Sequence, residues 1–258
     1  MSLVLYQCLL EKNRWYRSGN VIPIKGIVVH SSGANNPTLK RYVQPHASQI
    51  SGIAKILPNG TEYDRKKFIA LLGENNYDND WNRADQPYGM HAFIGKMNDG
   101  SVAAVQTLPW NSFLWGVGTG KNGSYNGTHI QFEICEDTND KVYTLESYKM
   151  AAELCAHLCR AFNLPVESIV SHYEAGKTGY GSNHVDPSHW WSLYGLTMEG
   201  FRDYVRQLMG GVKEPVDQVA EAKKTLADKA GLSASTIEYL QAYTYGSDLI
   251  KKLAKAMK

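Results

Sequence analysis

Apolar residues fall in two kinds of run along the chain, and each kind predicts a different element. Residues 21–30, VIPIKGIVVH, form a nearly continuous β-branched run that predicts a buried strand ending in His30, and the following SSGANN predicts a turn. Between 36 and 56, Ile50, Ile53 and Ile56 recur at helical spacing and predict a partly helical segment broken by Pro58-Asn59-Gly60. The next stretch, DRKKFIALLGENNYDNDWNRADQPYG, reads as a short helix followed by a polar loop placed to line a groove. HAFIGKMNDGSVAAVQTL predicts two strands joined at Asn98-Asp99-Gly100, with His91 opening the first. In THIQFEICED the alternation sends Ile130, Phe132 and Ile134 to one side and His129, Gln131, Glu133 and Cys135 to the other. Residues 145–162 carry apolar side chains at helical spacing up to Asn163-Leu164-Pro165, VESIVSH predicts a short strand that delivers His172, and 197–208 predicts a further helix.

The pattern changes at Gly210-Gly211. Residues 1–209 are read as one domain, 210–215 as a linker, and 216–258 as a small helical unit with one stripe through Val219, Leu226 and Ala230 and another through Leu249, Ile250, Leu253, Ala254 and Met257. A helical unit of that length is marginal alone, so it is expected to serve in targeting or dimerisation, the latter giving a homodimer through the C-terminal helices.

Composition narrows the classes of function. A chain of 258 residues with 43% hydrophobic and 20% charged residues is ordinary for a globular protein, and a net charge of +2 is too small for the basic face that nucleic acid requires. No stretch approaches the length of a membrane span. The N-terminus, MSLVLYQCLLEKNRWY, lacks a basic start followed by a useful apolar run, so the expectation is synthesis in the cytoplasm without an evident signal peptide. Cys8, Cys135, Cys155 and Cys159 show no disulfide framework, and Cys155 and Cys159, one helical turn apart, are expected to pack as small apolar groups.

The candidate chemistry is concentrated in SNHVDPSHWW, residues 182–191, which places His184, Asp186 and His189 within ten positions. A plain reading of this stretch is a turn at Asp186-Pro187 with Trp190-Trp191 as a core plug. Two predicted strands that end in histidine change its weight, because they suggest that His30, His172 and Asp186 converge at one end of a sheet. Two imidazole nitrogens and one carboxylate suit a catalytic zinc ion (Zn2+) with its fourth position open to water, and such an ion makes a nucleophile of water at neutral pH. Glu133, a carboxylate in a strand-like run, is costly to bury without a partner and is read as the general base; His184, two residues before Asp186, is read as the donor to an oxyanion. Trp110 and Trp115 either stack on substrate or serve as wall residues.

GIVVHSSG, MHAFIGKMNDG, THIQFEICED and VSHYEAG followed by SNHVDPSHWW, in this order over about residues 20–208, resemble the zinc-dependent N-acetylmuramoyl-L-alanine amidases of the amidase-2 group, relatives of peptidoglycan recognition proteins that are common as phage endolysins. The resemblance implies an α/β fold, a central mixed sheet flanked by helices, followed here by the C-terminal helical unit. It places the family's metal ligands on His30, His172 and Asp186, its glutamate on Glu133, its donor on His184, and a recurrent non-ligand polar position on His91, which touches substrate or orients a neighbour. It implies hydrolysis of bacterial cell-wall peptidoglycan at the bond between N-acetylmuramic acid and L-alanine, with release to the wall by holin-assisted or prophage-like lysis. The rival is a muropeptide-binding module of the same fold that does not cut, and the full set of three ligands with Glu133 speaks for the enzyme.

Overall fold

The β-branched runs become neighbouring strands of one seven-stranded sheet in the computed structural model, which describes residues 2–44, 54–57, 65–210, 218–241 and 246–257. In chain order the strands are β1 (Leu5–Gln7), β2 (Gly26–Ser31), β3 (Ala54–Leu57), β4 (Ala92–Lys96), β5 (Val102–Gln106), β6 (His129–Ile134) and β7 (Ile169–Ser171), arranged β3-β1-β5-β4-β6-β2-β7. The sheet is mixed. Pairs β1/β3 and β4/β5 run antiparallel, whereas β1/β5, β4/β6, β2/β6 and β2/β7 run parallel. Strands β2 and β6 are both buried along their whole length; β2 accordingly reads as a near-continuous apolar run, whereas β6 alternates apolar residues with polar ones that are buried as well.

Alternation still sorts the faces. Ile27, Val29, Ile130, Phe132 and Ile134 enter the larger core, with the long helix α3 (Lys141–Phe162) and with α6 (Met198–Leu208). Phe93, Val105 and Cys135 enter a second core on the other face with Phe68 and Leu72 of α2 (Arg65–Leu72). Helix α3 starts on Asp140, whose carboxylate accepts from Tyr143 N, and stops at Asn163 in the left-handed conformation, φ 52°. Cys155 and Cys159 lie on its buried side at 0% and 1% exposure and are free thiols, as the helical pattern predicted. Trp190 and Trp191 of the short α5 (Ser188–Trp191) are fully buried in the same core.

One expected element is different. Among the described residues of 36–56, the helical element is a 3-10 turn, Leu39–Arg41, and Ile56 lies in β3, where Leu5 pairs with Leu57 and Tyr6 with Lys55 at the edge of the sheet. The open hydrogen-bonding edge of β1 outweighs a local helical spacing, since strand choice follows the neighbouring strand more than intrinsic preference. Ile50, Ile53 and the break at 58–60 lie outside the described residues.

The chain divides into two compact units, Met1–Met209 and Gly210–Lys258. In the second, α7 (Gln218–Ala230), α8 (Ala234–Gln241) and α9 (Gly246–Lys255) enclose Ala222, Leu226, Ile237, Ile250 and Ala254, with Leu253 partly buried. Leu249 and Met257 of the predicted stripe face outward at 39% exposure each.

Candidate active site

The polar cluster forms where β2, β6 and β7 end. His30 on β2 lies in register with Glu133 on β6, and Glu133 with Phe93 on β4, so the three side chains share one face of the sheet. His172 follows β7 directly as the first residue of α4 (His172–Thr178). Its backbone is fixed by a reciprocal cap in which Ser171 accepts from Glu174 N while Glu174 accepts from Ser171 N, and Arg202 holds that Glu174 with two contacts of 3.0 Å. The loop carrying Asp186 is tied back by Tyr173 N to Asp186 O at 3.1 Å and by Ser31 N to Asp186 Oδ2 at 3.3 Å.

These ties bring His30, His172 and Asp186 together with one donor atom from each inside a 4.8 Å span, all three buried. His30 Nδ1 and His172 Nδ1 are 3.1 Å apart, and Asp186 Oδ1 lies 3.2 Å from His172 Nδ1 while Oδ2 lies 3.4 Å from His30 Nδ1. The outer nitrogens are engaged elsewhere. His30 Nε2 meets Gln131 Oε1 at 3.0 Å, and that amide is oriented because Gln131 Nε2 donates to Asn126 Oδ1 at 3.0 Å. His172 Nε2 meets Ser182 Oγ at 3.0 Å, which in turn donates to Val117 O. With Nε2–H donating outward on both rings, each neutral imidazole keeps its lone pair on Nδ1, and the two lone pairs face each other and a carboxylate.

That arrangement calls for a cation. Two imidazole nitrogens and one carboxylate oxygen, each held by a partner behind it, are the donor set of an open metal site and fit zinc well. Burial alone would oppose ionisation of Asp186, but positive charge at the Nδ1 atoms of His172 and His30, carried by protons or by a metal in their place, holds its carboxyl well below the usual carboxylate range. Burial also lowers the proton affinity of His172, against the opposing pull of Asp186, which favours the neutral ring a metal needs.

Glu133 stands beside this group at 8% exposure on the wall of a cleft of about 510 Å³. Burial, then the charges of Asp186 and Glu136, push its carboxyl up to about 8. His184 lines the same cleft, stacked on His172 with centroids 4.3 Å apart and with Nδ1 3.6 Å from Asp186 Oδ1. A buried two-histidine, one-carboxylate group with a proton-hungry glutamate alongside is suited to activating water against an acyl carbon.

A family model described as N-acetylmuramoyl-L-alanine amidase, Amidase_2, matches residues 20–189, more than half of the 258. The chain belongs to this family. A probable N-acetylmuramoyl-L-alanine amidase of Bacillus licheniformis is 27% identical over 186 residues, covering 67% of this chain and 48% of that protein. The N-acetylmuramoyl-L-alanine amidase CwlL of the same organism is 28% identical over 120 residues, 45% of this chain and 31% of that one. The chain thus spans about half the length, or less, of the curated relatives it matches. The crystal structure of the Staphylococcus aureus hydrolase AmiA in complex with its ligand superposes with a TM-score of 0.50 at 21% identity, over 82% of this chain and 88% of that one, so the fold is shared.

Within this Amidase_2 domain, not every residue singled out from the sequence reaches the cleft. His91 is fully buried, with Nε2 2.9 Å from Ser112 O and Nδ1 accepting from Gln131 N at 2.9 Å. Both nitrogens are spent inside the protein, and burial lowers its pKa to about 4, so His91 is a neutral clasp between strands and not a substrate contact. Trp110 packs against the large core and Trp115 is 40% exposed, but neither lines the cleft. The aromatic wall is instead Trp81, edge-on to Phe93 at 5.0 Å, with Tyr88. Trp81 lies in the polar loop expected to line a groove, but nothing local distinguished it from five other tryptophans. Gln131, Asn126 and Ser182 were also missed as supports; for Gln131 a signal existed, since it alternates with Glu133 on the polar side of β6. The close packing behind it shows at Gly116, where a Cβ would meet Gln131 Oε1 at 2.5 Å.

Proposed function

We propose that the chain is a zinc-dependent N-acetylmuramoyl-L-alanine amidase that hydrolyses the amide joining the lactyl group of N-acetylmuramic acid to L-alanine of the stem peptide. The observation that carries this reading is the convergence of two Nδ1 lone pairs and a carboxylate, with the tautomer of each histidine set by Gln131 or Ser182. His30, His172 and Asp186 would hold the ion, whose Lewis acidity lowers the pKa of water and polarises the scissile carbonyl. Glu133 takes the proton from the attacking water and returns it to the departing alanine nitrogen. Its buried position between other carboxylates gives it the proton affinity this exchange needs. His184, exposed over 59% of its side chain and braced on His172, donates to the oxygen that gains charge as the carbonyl carbon becomes tetrahedral. Trp81 and Tyr88 offer aromatic faces to the substrate beside Glu133.

Bacterial cell-wall peptidoglycan is then the partner, reached outside the cytoplasm as an endolysin would reach it after lysis begins; no helix among the described residues is long and apolar enough to cross a membrane. The C-terminal unit is proposed to target the wall or to pair two copies of the chain. Its outward Leu249, Met257 and Tyr239 support either role, and beyond Gly210 eight lysines against six acids suit an anionic polymer. Digestion of purified peptidoglycan tests the activity: mass spectrometry should find new L-alanine amino termini and intact glycan strands, and new glycan reducing ends in their place would overturn it.

A further inference from the structure

A second histidine–carboxylate pair lies at the rim of the cleft, and its histidine has no part in the chemistry above. Glu136 follows β6 and is buried to 2% exposure, and its Oε1 collects three neighbours: Ser31 Oγ at 2.5 Å, Gly33 N at 3.0 Å and His189 Nε2 at 3.1 Å. An acceptor oxygen with a hydroxyl and an amide already donating to it requires a donor from the histidine, so the neutral imidazole of His189 carries its proton on Nε2 and leaves Nδ1 as a lone pair. No contact to Nδ1 from another residue is seen among the described residues. The ring is 35% exposed and lines the cleft. It is also rigidly placed, because the next two residues, Trp190 and Trp191, are fully buried and His189 N donates to Val185 O.

We propose that Glu136 and His189 form a fixed acceptor for a peptide N–H of the substrate, with His189 Nδ1 receiving the backbone amide that follows the L-alanine residue. The proposal rests on the amidase reading and deepens it, by naming a side chain that selects a peptide over a simple N-alkyl amide. Ser31 places the pair correctly for this, since its N–H holds Asp186 while its hydroxyl holds Glu136, which puts His189 one short relay from the reacting end of the cleft. An imidazole lone pair held by a buried carboxylate is a directional acceptor that costs little ordering on binding. His189 is here a substrate-binding group and Glu136 a positioning residue acting through it.

The test uses the full, zinc-loaded chain carrying Glu133→Gln, in which turnover is suppressed. Two soluble probes are compared by calorimetry, a muramoyl tetrapeptide and its analogue methylated on the amide nitrogen after L-alanine. Adding His189→Ala should weaken binding of the normal peptide about fivefold to tenfold and leave the methylated peptide unchanged, a coupling that loss of structure would not produce. His189→Gln, which can offer a carbonyl oxygen in place of Nδ1, should recover part of the loss. Glu136→Ala should weaken the normal peptide alone, and Glu136→Gln, whose carboxamide oxygen can take the place of Oε1 and still accept from Nε2–H, should recover it. Equal losses for both peptides, or no loss for either, would overturn the proposal. Failure of the amidase reading would appear separately, as wild-type protein that releases no alanine amino termini from either probe.

Discussion

The two units of this chain solve the problem of an interior in opposite ways. The first buries His30, His91, Gln131, Glu133, Glu136, His172 and Asp186 beside its apolar cores, whereas the described interior of the second is Ala222, Leu226, Ile237, Ile250 and Ala254. All eight histidines, six tryptophans and four cysteines of the chain occur before residue 192. The first unit has a large sheet whose buried strands can carry polar side chains at their ends; hydrogen bonds offset the desolvation of His30, His91, Gln131 and Glu136, while Glu133 meets it with a raised proton affinity. Three short helices have no such depth, and their cohesion rests on apolar contact. Chemistry and sensitivity to pH are therefore expected in the first unit alone.

The largest test of that contrast removes a ligand. His172→Ala should abolish zinc binding and bring turnover to background, because two remaining donors hold an open-site metal poorly; full zinc content in that variant by atomic absorption would defeat the assignment. Glu133→Gln should keep zinc and muropeptide binding while losing on the order of 10² to 10⁴ in kcat, and near-normal turnover would refute the base role.

The third test uses pH. Burial depresses His91 from 6.5 to about 4, and burial with the charge of Lys25 depresses His129 to about 4. In a histidine whose folded pKa is lowered, the unfolded chain binds the proton more readily, so stability is complete above pH 6.5 and is lost as pH falls towards 4. For His91 alone the loss is roughly 3 kcal/mol. Urea unfolding followed by tryptophan fluorescence reads only the first unit and should show its midpoint falling across this range. His91→Gln should flatten the dependence. A midpoint independent of pH in the wild type would remove the distinction.

A smaller effect is expected behind the metal. Gln131→Leu takes away the acceptor for His30 Nε2–H and should weaken zinc about 10- to 100-fold in a chelator competition, with Gln131→Glu restoring most of it. An unchanged affinity would mean that the tautomer of His30 is set by the metal itself. The smallest effect concerns the second unit. Truncation after Gly211 should leave hydrolysis of soluble muropeptides within about twofold of the full chain, while either lowering pelleting with intact walls or halving the mass seen by light scattering. Loss of soluble activity in a folded, zinc-loaded truncate would show that the tail completes the active site.

Several features of the first unit were legible one residue at a time. β2 and β7 announced themselves by β-branched runs, β4 and β5 by apolar runs flanking Asn98-Asp99-Gly100, β6 by its alternation, α3 by its period and its Asn163-Leu164-Pro165 stop, and the residues that gather at the candidate metal centre by a histidine at each of two strand ends and an unusual density after Ser182. The edge strand β3 was not legible, because its pairing partner is about 50 residues away and no local pattern encodes that neighbour.

What the sequence by itself determined is therefore the inventory: which side chains can ligate, which faces of β6 are apolar, and where the polar chain gives way to a helical tail. Only the tertiary structure decided which of those groups are spent on one another. His91 and His30 look alike in sequence, each at a strand end near polar neighbours. Burial closes both nitrogens of His91 on Ser112 and Gln131, whereas His30 has one nitrogen held by Gln131 and the other turned towards His172 and Asp186. The physical reason is that strand and helix periods are local, but the partner of a ring nitrogen lies wherever the chain has folded back. A histidine's chemistry is set by that partner.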